Sequence, residues 1–229
     1  MAAKICASIA AETAQLMKDE AEKALSWGAD FVEIRFDYLR PEMLSEAIRI
    51  ARNLKARAVY TLRSKEQGGK FAGSEHERIQ WLMKIAEEGP MLVDIELDSL
   101  RNSDELADFI ENLKTSILVS WHDFNRTPPS DEIADTLSEM RVYSNYVKIV
   151  TMAHSTEDSL RLLSLYESTT GLHPIIFAMG EPGVLSRVLC TVVGNAPFTY
   201  ATLENAIAPG QLTVKQLRKL YDRLADIRA

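Results

Sequence analysis

Cysteine is nearly absent from this chain, with only Cys6 and Cys190 among 229 residues. The two lie far apart in sequence and fit no metal-ligand spacing, so neither a disulfide framework nor a cysteine-built metal centre organises the fold. The expected state is a pair of reduced core thiols in a cytoplasmic protein. Positive charge is also in deficit. The formal net charge is −7, which argues against a generic binder of nucleic acid or anionic membrane, since both require a basic surface. It does not exclude an anionic substrate, because a few buried arginines can reverse the field inside one cleft. No apolar run approaches the roughly 18 residues a membrane span needs. The opening MAAKICASIA shows no apolar core behind a basic start, so no signal peptide is expected. No HxH, HExxH or CxxC spacing occurs, so no metal site is expected.

What is present is the composition of an ordinary globular protein, 46% hydrophobic and 26% charged. A chain of this length can bury a substantial core without staples. Short β-branched runs alternate with longer amphipathic stretches. Strands are predicted at Ile5–Ile9, Phe31–Phe36, Ala58–Leu62, Met91–Leu97, Ser116–Trp121, Tyr146–Val150, Pro174–Met179 and Phe198–Thr202. Each is followed by a predicted helix: Thr13–Ser26, one opened by Pro41, Ser74–Glu88, Ser103–Leu113, Ser130–Met140, Thr156–Tyr166, Pro182–Val193 and Thr213–Ala225. Ser74 with Glu77 three residues on makes a capping box, and Pro41 suits a first helical turn.

This alternation predicts a (β/α)8 barrel forming a single domain over residues 1–229. The rival is a doubly wound open sheet, but the turn after the first strand is Ala-Ala-Glu-Thr, without the glycines a nucleotide fold uses there. Charges inside strands also favour the barrel. Lys148 in Tyr-Val-Lys-Ile-Val and Glu33 in Phe-Val-Glu-Ile-Arg would be unpaired core charges in a sheet covered on both faces. In a barrel, inward-pointing residues near the C-terminal rim reach the active site.

Reading only the C-terminal ends of the strands gathers Glu33, Arg35, Arg63, Glu96, His122 and Lys148, with Arg187 early in the seventh helix and Ala208-Pro209-Gly210-Gln211 after strand eight. A lysine amine is a nucleophile only when deprotonated, and burial among cations favours that form. Arg35, Arg63 and Arg187 are expected to supply those cations while gripping a carboxylate and hydroxyls. Histidine exchanges protons near neutral pH. Lysine and histidine across one barrel mouth therefore suggest imine-assisted proton abstraction beside a ketone. Singly, each has a plainer explanation: a strand lysine at a rim ion pair, a polar loop histidine, arginines paired structurally with Glu33 and Glu96. Their convergence at one end of the strands outweighs these. Of the other histidines, His76 sits at a helix start and His173 at the opposite end of the barrel. His154 remains a rival base.

These residues carry a family resemblance. SWHDFNRTP at 120–128 is similar to the Ser-aromatic-His-Asp-Phe…Thr-Pro motif of type I dehydroquinases. ICASI at 5–9, EIRFD at 33–37, TLRSKEQGG at 61–69, VKIV around Lys148, MGEPGVLSR at 179–187 and APGQ at 208–211 resemble the family's remaining motifs in order and spacing. The resemblance implies a barrel that needs no cofactor and converts 3-dehydroquinate to 3-dehydroshikimate by syn elimination of water on the shikimate route, often as a homodimer. It implies that Lys148 forms a Schiff base and that His122 is the general acid/base. Arg187 would bind the carboxylate, and Glu33, Arg35, Arg63 and Gln211 the hydroxyls. Ser8, Gln67, Met179, Tyr200 and Ala208 would complete the lining, with tyrosine at 200 where phenylalanine is common. Gln67 stands where many members have the glutamate that supports the histidine, so Gln67, Glu66 or Glu96 is expected to orient His122. Ile207 replaces the usual loop serine. The alternatives are a class I Schiff-base aldolase, for which the scattered glycines offer no phosphate cradle, and a non-catalytic barrel that binds a small acid.

Overall fold

The computed structural model describes residues 3–204 and 207–228. Eight parallel strands follow one another: β1 (Ile5–Ile9), β2 (Phe31–Arg35), β3 (Ala58–Thr61), β4 (Leu92–Glu96), β5 (Ile117–Asp123), β6 (Tyr146–Met152), β7 (His173–Met179) and β8 (Thr199–Thr202). Their spatial order is β7-β6-β5-β4-β3-β2-β1-β8, a sheet rolled into a nearly closed barrel. The expected (β/α)8 architecture is the one observed. Helices α1 (Ala14–Ser26), α2 (Leu44–Ala51) and α3 (Glu75–Glu87) fill the first three crossovers. Then come α4 (Leu97–Asn102), α5 (Asp104–Glu111), α6 (Ser130–Tyr143), α7 (Thr156–Ser164), α8 (Val184–Leu189) and α9 (Val214–Arg228).

Side chains alternate across each strand, so one set faces the helices and the other the barrel interior. Val32, Ile34, Val93, Ile95, Val147, Ile149 and Ile176 belong to the first set and are fully buried. Each contributes about 1.5–3 kcal/mol of apolar burial. Between them Glu33, Asp94 and Lys148 point the other way, also buried. Helix starts follow local chemistry. Ser74 and Glu77 form the expected capping box on α3, and Ser155 with Asp158 forms a second on α7.

Three helix boundaries differ from the sequence expectation. Pro41 opens a 3-10 turn, Pro41–Met43, and α2 proper starts at Leu44. A short helix, α4, leaves β4 directly and precedes α5, which Ser103 caps. The helix expected over Pro182–Val193 is regular only across Val184–Leu189. Its first residues instead form a tight turn in which Gly183 N bonds Gly180 O.

Candidate active site

The strand register stacks the polar inward residues. Ser8 lies beside Glu33, Glu96 beside Ser120, and Ser120 beside Lys148, with His122 one inward position further along β5. Lys148 Nζ lies 3.1 Å from Asp94 Oδ2 and 3.4 Å from Glu33 Oε1, and sits over the Tyr200 ring at 4.2 Å. Two carboxylates, not the arginines expected to surround it, make the direct contacts to the amine. The arginines are occupied elsewhere. Arg63 donates to Asp94 at 2.7 Å, Ser120 at 2.7 Å and Glu96 at 3.1 Å, and Arg35 forks onto Asp37 with two 2.8 Å bonds. Arg63 thus lines the cavity with its guanidinium committed to the wall.

Both carboxylates are fixed from several sides. Glu33 accepts from Ser8 Oγ at 2.7 Å and Thr61 Oγ1 at 3.1 Å. Asp94 accepts from Ser120 Oγ at 2.6 Å. Burial alone would raise their pKa values. For Asp94 the charges of Arg63 and Lys148 overcome it, and for Glu33 those of Lys148 and Arg35, so both stay below the usual carboxylate range. Asp94 was not among the expected site residues. It shares an inward face with Glu96, two residues on, and that alternation was the signal available for it.

Histidine 122 is the opposite case. Burial, then the Arg63 and Lys148 charges, push its pKa well below the ordinary 6.5, so the imidazole is neutral at pH 7. Gln67 orients it. Gln67 Oε1 lies 3.0 Å from His122 N and 3.0 Å from Nδ1. An amide oxygen only accepts, so Nδ1 carries the proton and Nε2 keeps its lone pair. Of the three expected partners, Gln67 is therefore the one in contact. Glu96 is bound to Arg63, Arg78 and Ser64 N, and Glu66 lines separate clefts. The loop that delivers Gln67 is very tight. Gly69 N bonds Ser64 O at 2.7 Å, and a Cβ at Gly69 would lie 2.0 Å from Arg63 O.

Arg187 on α8 is 2% exposed, and its Nε and Nη2 have no hydrogen-bond partner. Its guanidinium lies 4.3 Å from the Phe177 ring, and burial pulls its pKa down to about 10. A buried cation without an acceptor costs free energy unless a ligand completes it. Above it the chain folds over itself. Gly180 N bonds Pro209 O, and Gln211 Oε1 accepts from the backbone N–H groups of Ile207 and Ala208. With that oxygen used by the loop, only the Gln211 amide NH2 is left for a ligand.

These groups surround one cavity of about 620 Å³, open to solvent. Of the residues gathered from the sequence, Lys148, His122, Glu33, Arg35, Arg63 and Arg187 line it, with Gln211, Ser8, Gln67, Met179, Tyr200 and Ala208, whereas Glu96 lies behind the wall on Arg63 and Arg78. Tyr38, Phe124 and Phe177 line it as well and had not been assigned a place there. His154 does not; it is exposed and its Nε2 contacts Asn125 O at 2.7 Å. Among the described residues, no three His, Cys, Asp or Glu side chains gather as a metal ion would require.

The family model for type I 3-dehydroquinase matches residues 5–228. The chain belongs to the type I 3-dehydroquinase family. It is 36% identical over 222 residues to a 3-dehydroquinate dehydratase of Methanopyrus kandleri, covering 96% of this chain and 99% of the relative. The Geobacillus kaustophilus 3-dehydroquinate dehydratase structure superposes with a TM-score of 0.87 at 26% identity, covering 98% of this chain and 91% of that one. The type I 3-dehydroquinate dehydratase of Clostridium difficile, with covalent modified comenic acid, gives 0.86 at 25% identity, with 98% and 93% covered. In this type I dehydroquinase three features of the site bear on the chemistry. An uncharged glutamine holds the histidine, Ile207 lines the cavity from the loop, and Tyr200 brings a buried hydroxyl without a partner.

Proposed function

We propose that this type I dehydroquinase removes water from 3-dehydroquinate through a Schiff base on Lys148, with His122 as the general acid/base. The observation that carries this reading is the pairing of a buried lysine amine with a neutral imidazole on the next strand, in a cavity that also holds an uncompensated arginine. Condensation of the Lys148 amine with the substrate ketone forms the C–N bond and releases the carbonyl oxygen as water. The iminium draws electrons from the adjacent carbon. His122 Nε2 takes that carbon's proton, leaving an enamine whose electron pair expels the neighbouring hydroxyl. The imidazolium returns its proton to that oxygen, and water leaves. Hydrolysis of the conjugated iminium consumes one water and frees Lys148, for a net loss of one water. The covalent adduct named for the Clostridium difficile relative supports a covalent route here. Glu33, held by Ser8 and Thr61, and Arg35, held by Asp37, line the hydroxyl-binding side. The test is turnover of 3-dehydroquinate, followed by the ultraviolet absorbance of the conjugated product. Carbon–carbon cleavage products would point to an aldolase, and binding without turnover to a sensor.

Arg187 would take the substrate carboxylate. Arg187→Met should lower kcat/KM by roughly thirtyfold to several thousandfold, the scale of losing one side of a buried charge pair, mainly through KM. The same change should raise unfolding free energy by about 1 kcal/mol. It removes an unpaired buried cation at the cost of one contact with an aromatic ring. A fall in Tm together with an unchanged KM would refute the assignment.

The loop over the site should close as a rigid flap. Gly210 sits at φ +72, and a Cβ there would lie 2.3 Å from Gly180 O. Gly210→Ala is expected to cost more than the roughly 1–2 kcal/mol of a left-handed L-residue, because the added Cβ also meets the Gly180 carbonyl, and so about tenfold or more in kcat/KM. Steady-state kinetics read this directly, and an unchanged KM would count against closure.

We further propose that residues 1–229 act as one catalytic domain and that the protein is a cytoplasmic homodimer. Two buried free thiols suit a reducing compartment, and exposed Leu160, Leu185 and Val193, on or just after the neighbouring helices α7 and α8, suit a subunit face. Light scattering tests the dimer. Among the described residues no helix is long and apolar enough to cross a membrane.

A further inference from the structure

The partner of His122 is uncharged, yet a carboxylate stands directly behind it. Gln67 Nε2 donates to Asp98 Oδ2 at 2.9 Å, while its Oε1 faces His122. Asp98 lies at the start of α4. Its other oxygen accepts from Arg101 Nη1 at 2.8 Å, and Arg101 forks onto Glu139 of α6. Gln67 is buried and Asp98 half-buried. A hydrogen-bonded line therefore runs from the imidazole through an amide and a carboxylate to a surface ion pair.

An amide presents a donor at one end and an acceptor at the other, in nearly the same shape. With its NH2 turned to the ring, Gln67 would require Nδ1 to accept, which puts the proton on Nε2 and removes the lone pair that the reaction needs. A carboxylate only accepts, so Asp98 demands the NH2 end and leaves the oxygen for the histidine. The His122 backbone N–H makes the matching demand from the other side.

We propose that Asp98 is a positioning residue for proton transfer: it locks the Gln67 amide and, through it, holds His122 as the Nδ1–H tautomer with Nε2 free. The triad in this chain is then Asp98–Gln67–His122, with its negative charge one residue removed from the ring. This rests on His122 being the base, as proposed above.

The line imposes a pairing rule that a double substitution exposes. Gln67→Glu alone sets two carboxylates against each other across the 2.9 Å contact. Asp98→Asn alone must turn an NH2 either to Gln67 Nε2 or to Arg101, and each is already a donor. Together the two changes satisfy every contact: the asparagine donates inward to the new carboxylate and accepts outward from Arg101. Each single variant is expected to lose about tenfold or more in kcat/KM. The double variant should recover to within about threefold of the unsubstituted enzyme, rather than falling about a hundredfold as independent losses would. Its acidic limb should also move to higher pH, because a carboxylate now touches a ring otherwise faced by Arg63, Lys148 and Arg35, which Asp94 opposes.

The tautomer gives a readout that a merely structural role would not move. In ¹⁵N-labelled protein without substrate, the His122 ring should show a protonated Nδ1 and a bare Nε2 in the unsubstituted enzyme and in the double variant. Asp98→Asn should show a mixture. Multiplicative losses with an unchanged tautomer in Asp98→Asn would overturn the proposal. Absence of turnover in the unsubstituted protein would overturn the proposed function alone, since the ring is read without substrate. Thermal unfolding of each single variant serves as its folding control.

Discussion

Lys148→Ala is expected to abolish dehydration, with a loss on the order of 10⁴-fold or more, the scale on which removal of a covalent nucleophile acts. Borohydride added during turnover should fix one ligand onto the unsubstituted protein, on Lys148 and on no other lysine, and should fix none onto the variant. The fold should survive. Asp94 keeps Arg63 and Ser120, and Glu33 keeps Ser8 and Thr61, so neither carboxylate is left bare. Acid stability should change in a defined direction. The depressed Glu33 carboxyl contributes stability that is present above the ordinary carboxylate pKa and is lost as pH falls through its lowered value. Lys148 is the largest attraction behind that depression, so the variant should gain less stability between acidic and neutral pH than the unsubstituted protein. A label on another lysine, or trapped ligand on Lys148→Ala, would move the nucleophile elsewhere.

That the lysine would face a site was legible in the sequence because a charge inside an apolar strand has few affordable positions. What held it was not. Asp94 meets Lys148 across the barrel interior from β4 to β6, two strands that do not pair. Such a contact depends on the register of the intervening strand and on barrel curvature, not on local sequence. The same limit explains the arginines. Arg35 pairs with Asp37 within its own motif, but Arg63 finds Asp94 and Glu96 more than thirty positions away in sequence. Read as three equal cations, they divide into two that are neutralised and one, Arg187, that is not. Strands were legible to within a residue or two because their alternation is strict. The short helices were less so. α4 begins where β4 ends, with no turn residues between them, and α8 is bounded by turns whose Gly-Glu-Pro-Gly sequence also fits a helix start.

His122→Ala is expected to lower turnover by about 10² to 10⁴-fold, the range for removing a general acid/base, while leaving imine formation at Lys148 intact. Trapped adduct should therefore persist in the variant and stall before the elimination. His154→Ala should be mild, since that ring lies at the surface against Asn125 O and away from the cavity. The pH dependence gives a second check. Burial and the Arg63 and Lys148 charges keep the imidazole neutral well below 6.5, so the acidic limb of kcat/KM for the unsubstituted enzyme should lie below the ordinary histidine range. Stability follows the same group. Between its depressed native pKa and the ordinary 6.5, the unfolded chain binds a proton that the folded one refuses. Stability must then fall as pH drops through 6.5 and level off only once the native ring protonates. Removing the ring removes that slope, so His122→Ala should resist mild acid better than the unsubstituted protein while turning over far less. An acidic limb near the ordinary histidine value, or a variant that loses stability faster in acid, would show that the ring is charged in the folded protein. The base would then have to be sought among the carboxylates beside Lys148.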